Sequence, residues 1–138
     1  MDAKIYCEYR YEGGETWWLI AEFQIGSAAS FNRAMAGAGL AGRGLPSDLS
    51  ESVQIGYAPY AELATRYPCD GPHDQTWFAP AELPLLLVTE HWLSERDRAA
   101  VPLQFHADYA ELDTVRAWQA LAQVASGNPV RFVVWFSG

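Results

Sequence analysis

The segment Val130-Arg131-Phe132-Val133-Val134-Trp135-Phe136 constrains the fold of this chain more than any other, because a β-prone run with one charge lies almost at the end of the sequence. A strand this apolar needs cover on both faces. Left at the border of a sheet, it would offer its backbone to other chains as a pairing template. It must therefore sit inside the sheet. Its natural neighbours lie at the other end of the chain, where residues 4–11 alternate Ile5, Cys7, Tyr9 and Tyr11 with Lys4, Glu8 and Arg10, the period of a half-buried strand. Glu12-Gly13-Gly14-Glu15 supplies a turn, and residues 16–23 are nearly all apolar. The two segments read as a hairpin whose second strand is the more buried, with the closing strand beside it.

Helical signals fall between these strands. Ser27 is placed to cap a short helix running to about residue 37, with Phe31 and Met35 one turn apart and Gly37 and Gly39 ending it. Asp113 is placed to cap a second, in which Val115, Trp118, Leu121 and Val124 recur every three residues before Gly127. Pro80 suits the first turn of a third, containing Ala81, Glu82 and Leu83, with Pro84 able to restart it. From Ala41 to Thr76 the chain reads as loop, with a helical turn only at Tyr60-Ala61-Glu62-Leu63-Ala64. Within it, Arg43-Gly44-Leu45-Pro46-Ser47-Asp48-Leu49-Ser50 is a built loop: Pro46 lacks an amide hydrogen, biases Leu45 toward extended backbone, and follows a glycine that tolerates positive φ. The expected fold is a single α+β domain over residues 1–138, in which a mainly antiparallel sheet of N-terminal hairpin plus C-terminal strand packs with two or three helices and a long central loop region.

Composition removes several function classes. A net charge of −8 repels polyanions, so direct nucleic-acid binding is not expected. Cys7 and Cys69 are far apart and in no metal-like spacing, and His73, His91 and His106 fit no zinc pattern, so neither a disulfide framework nor a metal site is assigned. The N-terminus lacks a secretory pattern and the apolar run Leu85-Leu86-Leu87-Val88 is too short for a bilayer, so a cytoplasmic chain without membrane attachment is expected. The run Gly37-Ala38-Gly39-Leu40-Ala41-Gly42 follows a helix, whereas a dinucleotide fingerprint must follow a strand. Glu90, Glu95 and Asp97 alternate with Arg96 and Arg98 as on a solvated surface. Asp70 to Trp77 reads as a turn-forming cluster with His73 between two carboxylates, the arrangement of a general base or a turn residue. No catalytic residue or cofactor is assigned.

The Arg-Gly-Leu-Pro-x-Asp-x-Ser loop (Arg43 to Ser50), His73 with Trp77, Glu82-Leu83 and the strand Val130 to Phe136 together resemble small proteins encoded by tailed phages and prophages. That resemblance implies a phage accessory role in the host cytoplasm, with counter-defence as its purpose and sequestration of a small anionic, nucleotide-derived ligand as its mechanism. For such a ligand, Arg43 and Arg33 would contact phosphate or carboxylate, Asn32, Ser47 and Asp48 would hydrogen-bond ribose or base, and Trp77 would stack, with His73 close by. A protein-binding inhibitor of a host factor, using exposed aromatics and an acidic face, is the alternative. A small hydrolase centred on His73 and Asp74 is a third reading, and a homo-oligomer is compatible with all three.

Overall fold

The closing strand lies where its apolar run demands: β4 (Val130–Ser137) is an interior strand, buried along its whole length. The computed structural model describes residues 1–25, 28–87, 117–121, 123 and 127–138. Before β4 come β1 (Asp2–Tyr9), β2 (Trp18–Ile25), α1 (Ala28–Gly37), α2 (Glu51–Arg66), a 3-10 turn at Pro68–Asp70, β3 (Pro72–Phe78), a second 3-10 turn at Pro80–Glu82, α3 (Leu83–Leu87) and helical residues at 117–121. The strands form one antiparallel sheet in the order β2-β1-β4-β3. This is the α+β architecture expected from the sequence.

Alternation along β1 and β4 builds two cores. Their register, from Ala3 opposite Phe136 to Tyr9 opposite Val130, puts Ala3, Ile5 and Cys7 on one face with Phe132, Val134 and Phe136. Phe31, Ala34 and Met35 of α1 cover that face together with Leu40, Leu83, Leu86 and Trp118. The opposite face carries Tyr6, Val133 and Trp135, covered by Val53, Tyr57 and Tyr60 of α2 and by Leu19, Leu45 and Leu49. Helices on both sides therefore account for an interior strand that is apolar on both sides.

Burial in the hairpin is the reverse of the expectation. Interior β1 is covered on both faces, whereas β2 is an edge strand that leaves Trp18 51% and Ile20 38% exposed. Ile20 falls at the irregularity where Glu8 pairs with Leu19 and Cys7 with Ala21. Both strands also lie two residues farther from the turn than the hydrophobic pattern places them, Asp2–Tyr9 against 4–11 and Trp18–Ile25 against 16–23.

The central region departs further from a long loop. It contains α2, sixteen residues long, begun by Ser50, whose Oγ accepts the Val53 amide at 3.2 Å. Pro59 is tolerated inside it because Pro59 and Ile55, whose carbonyl loses its usual donor, both sit on the exposed side. Gly56 allows close approach to the sheet, since a Cβ there would lie 3.2 Å from the Tyr6 hydroxyl. The polar cluster before Trp77 is likewise mostly strand: β3 pairs with β4 from Pro72 to Phe78, with an irregularity between His73 and Thr76 where Asp74 adopts φ 52°.

Helix α1 begins and ends near the expected positions, and Gly39 takes φ +74° after it. Trp118 is buried and Gly127 takes φ +85°. Ser27, Asp113, Val115 and Val124, named above for capping or periodicity, lie outside the described residues, as do His91, His106, Glu90, Glu95, Arg96, Asp97 and Arg98. What remains of the loop carries the chain from one sheet face to the other past the β3 edge. Leu40 belongs to the first core and its carbonyl accepts from Thr76 Oγ1, the Gly44 amide bonds Gln75 O at 3.0 Å, and Leu45 and Leu49 join the second core.

Tight contact between α2 and the 3-10 turn yields a test. A Cβ on Gly71 would stand 2.4 Å from the Ala64 Cβ. Gly71→Ala is expected to destabilise the fold by about 1–3 kcal/mol through overpacking. Ala64→Gly alone should cost about 1 kcal/mol of helix propensity, yet relieve most of the clash in the double variant. Urea denaturation of the four proteins checks this, and simple additivity would contradict it.

Candidate functional site

Glu8 and Arg131 stand opposite each other across β1 and β4 on the face covered by α2. Glu8 is 0% exposed and its Oε1 accepts from Arg131 Nε at 2.7 Å, while its Oε2 accepts the Ser50 amide at 2.6 Å. The same guanidinium donates to Asp48 through Nη1 at 2.8 Å and to the Asp48 carbonyl through Nη2 at 3.1 Å. It also lies 3.9 Å from the centroid of Trp17, whose indole N–H donates to Asp48 Oδ2 at 3.0 Å. One guanidinium thus holds two carboxylates and an aromatic ring. Its hydrogen bond to Asp48 is the main reason that carboxyl sits below the usual aspartate range, against the opposing effect of desolvation.

Arg131, Asp48 and Trp17 form one wall of a cleft of about 360 Å³, whose lining is completed by Pro46, Ser47, Trp77 and Val130. Ser47 and Asp48 come from the crossover loop, Trp77 from β3, and Val130 with Arg131 from the start of β4. On the Trp77 side, Arg43 lies 5.1 Å from the indole centroid and donates to the Trp77 carbonyl at 3.1 Å. Its two terminal nitrogens hold Glu82 at 2.7 and 2.6 Å, a bidentate pair. That pairing lowers the Glu82 carboxyl, helped by the Ala79 amide at 3.0 Å.

Four of the residues expected at a site therefore converge: Ser47, Asp48 and Trp77 line the cleft, and Arg43 braces Trp77. The others lie elsewhere. Asn32 donates to Asp74 Oδ2 at 3.1 Å and His73 Nδ1 lies 2.7 Å from the same oxygen, with the imidazole stacked on Phe136. Arg33, on α1, contacts Ser30 at 3.4 Å. Sequence patterning assigns Trp17, Glu8 and Arg131 to strands and Glu82 to a helix, and none of them to a site, although a lone arginine in an otherwise apolar strand is a signal for a buried partner. Among the described residues no group of three or more His, Cys, Asp or Glu is placed to hold a metal, and no helix is long and apolar enough to cross a membrane. Burial pushes the Cys7 thiol up to about 12, which leaves it unreactive, while Cys69 is exposed. Comparison with family models, with curated proteins and with solved structures finds no match.

Removing one partner of the buried pair leaves an uncompensated charge. Glu8→Ala should lower stability by about 3–5 kcal/mol, and Glu8→Ala with Arg131→Met should lose less than the two single variants combined. Denaturant titration of the cycle decides this; additive losses would mean that the pair acts independently.

The depressed carboxyls also fix a pH dependence. Asp48, Asp74 and Glu82 all have lowered folded values, so their contribution is present above the unfolded carboxyl range and is lost as pH falls through the folded values. Stability should decline from about pH 4 downward, and Asp48→Asn should flatten part of that decline in acid denaturation monitored by tryptophan fluorescence.

Proposed function

We propose that the protein is a binding protein of phage or prophage type, acting by sequestration, and that its cleft takes a small planar ligand bearing an anionic group, a nucleotide-like molecule. One observation carries this reading: Ser47, Asp48 and Trp77, selected independently as hydrogen-bonding and stacking residues, line one cleft together with Trp17 and Arg131. The cleft volume of about 360 Å³ suits a ligand of that size. Trp77 supplies an aromatic surface held in place by Arg43, and the exposed Asp48 carboxylate accepts from the amino or ring N–H groups of a heterocycle. The hydroxyl of Ser47 has no hydrogen-bond partner among the described residues and adds a second polar contact. Counter-defence is the biological purpose that the loop and strand motifs favour.

Binding is preferred to catalysis because both carboxylates nearest the cleft floor are committed to arginine, and the His73–Asp74 pair lies on an exposed strand irregularity. The edge strand β2, with Trp18 51% exposed, favours a protein partner as the second reading.

Calorimetric titration with nucleosides and nucleotides tests the proposal. Trp77→Ala should weaken binding by about 1–3 kcal/mol, the value of one base–aromatic stack, and Ser47→Ala should cost about 1 kcal/mol. An affinity unchanged by Trp77→Ala would move the site away from the cleft.

A further inference from the structure

The ion pairs around the cleft leave it with an excess of negative charge. Arg131 is shared by Glu8 and Asp48, and Arg43 is held bidentately by Glu82, so two guanidinium groups stand against three carboxylates. Of the two carboxylates on Arg131, Glu8 is fully buried, whereas the Asp48 side chain is 55% exposed and lines the cleft. Asp48 is also fixed in place: Arg131 Nη1 donates to its Oδ1 at 2.8 Å and the Trp17 indole N–H to its Oδ2 at 3.0 Å. An ionised carboxylate only accepts, and it has about four lone-pair sites, so acceptor capacity remains on Asp48 after these bonds. The hydrogen bond from Arg131 holds the group below the usual aspartate range and therefore ionised at neutral pH. Trp77, braced by Arg43, supplies the aromatic surface of the same cleft. A ring that lies on Trp77 and reaches Asp48 must turn hydrogen-bond donors toward the carboxylate, because an acceptor there would meet repulsion.

Resting on the cleft reading above, we infer that the site selects its ligand by a donor edge: a 2-amino-oxo heterocycle of the guanine type, whose adjacent ring N–H and amino N–H groups pair with the Asp48 carboxylate. The other common bases do not match. Adenine and cytosine each present an amino donor beside a ring-nitrogen acceptor, and uracil presents one ring N–H between two carbonyl oxygens. Each would set an acceptor against Asp48, and a fixed polar group that faces the wrong partner rejects such an analogue strongly. Ser47, next to Asp48 in the loop and also lining the cleft, can donate its hydroxyl to the ring carbonyl that flanks the N–H groups.

The 5′-monophosphates of guanosine, inosine, adenosine, cytidine and uridine share one anionic group, so calorimetric titration of each into the full-length protein isolates the contribution of the ring. The guanosine form should bind about tenfold or more tightly than the adenosine, cytidine and uridine forms, the ratio expected for hydrogen bonds to a charged group. Inosine monophosphate keeps the ring N–H but lacks the amino group, and should bind about fivefold more weakly than the guanosine form while staying ahead of the adenosine form. This ligand series uses the unaltered protein and so does not depend on how a variant folds. Asp48→Asn replaces two acceptors by one donor and one acceptor, and should bring the guanosine and adenosine forms within about threefold of each other. Binding that is lost in Trp77→Ala but shows no preference for guanosine would overturn the donor-edge assignment and leave the cleft reading standing. A preference that persists in Asp48→Asn with an unaltered thermal midpoint would do the same. Failure of all these nucleotides to bind would remove the cleft reading and the assignment with it.

Discussion

The buried pair of Glu8 and Arg131 links three parts of the molecule that are far apart in the sequence. It joins β1 to β4 at one register position, its second carboxylate oxygen takes the amide of Ser50 where α2 begins, and its guanidinium draws in Asp48 from the crossover loop. Desolvating both charges is expensive, and hydrophobic residues of similar volume would stabilise the sheet as well or better. What the pair supplies is selectivity of arrangement. A slip of one residue along β4 would turn Arg131 into the core that holds Phe132, Val134 and Phe136, and would leave Glu8 buried without a cation. Register, helix start and loop position are thereby settled by one interaction, and the cleft inherits its wall from it.

The crossover loop depends on the same logic of satisfied polar groups. Passing the β3 edge, it uses the Gly44 amide to bond Gln75 and the carbonyl of Leu40 to receive Thr76, so the edge of β3 is partly covered by the chain itself. Gly44 takes φ +75° there, a conformation that a side chain would oppose. Leu45 and Leu49 then anchor the far end in the second core. Ser47 and Asp48 lie between these anchors, which makes them loop residues on a fixed backbone. Arg43, read from sequence as an exposed contact for an anion, is instead a strut between Glu82 and Trp77.

The closing strand, the antiparallel hairpin and the Phe31–Met35 face of α1 were legible because each carries its own periodicity and has no competing pattern. Helix α2 was not, for a physical reason: Gly56 and Pro59 are poor helix residues in isolation, and their value depends on Tyr6 packing beneath one and solvent lying outside the other. β3 was hidden by its polar half, Pro72-His73-Asp74-Gln75, which forms a strand only because β4 supplies hydrogen bonds opposite it. Hydrophobic content misled in β2, since an apolar segment at an edge is exposed whatever its composition. At the site, Ser47, Asp48 and Trp77 stood out as polar or aromatic residues beside turn signals. Glu8 and Arg131 did not, because alternation along β1 assigns Glu8 to solvent until α2 is known to cover that face.

A cleft whose nearest cations are already neutralised discriminates differently from an open basic patch. A small anion such as chloride or inorganic phosphate gains little at Arg43 or Arg131, because each new contact replaces one with a carboxylate that is already aligned. Under the proposed binding role, a planar molecule would gain from the Trp77 surface without displacing either carboxylate, and its polar edge would meet Asp48 and Ser47 in positions held before it arrives. In that role, charge alone would gain little at Arg43 or Arg131, while the Trp77 ring braced by Arg43 would favour ligands that present a planar surface.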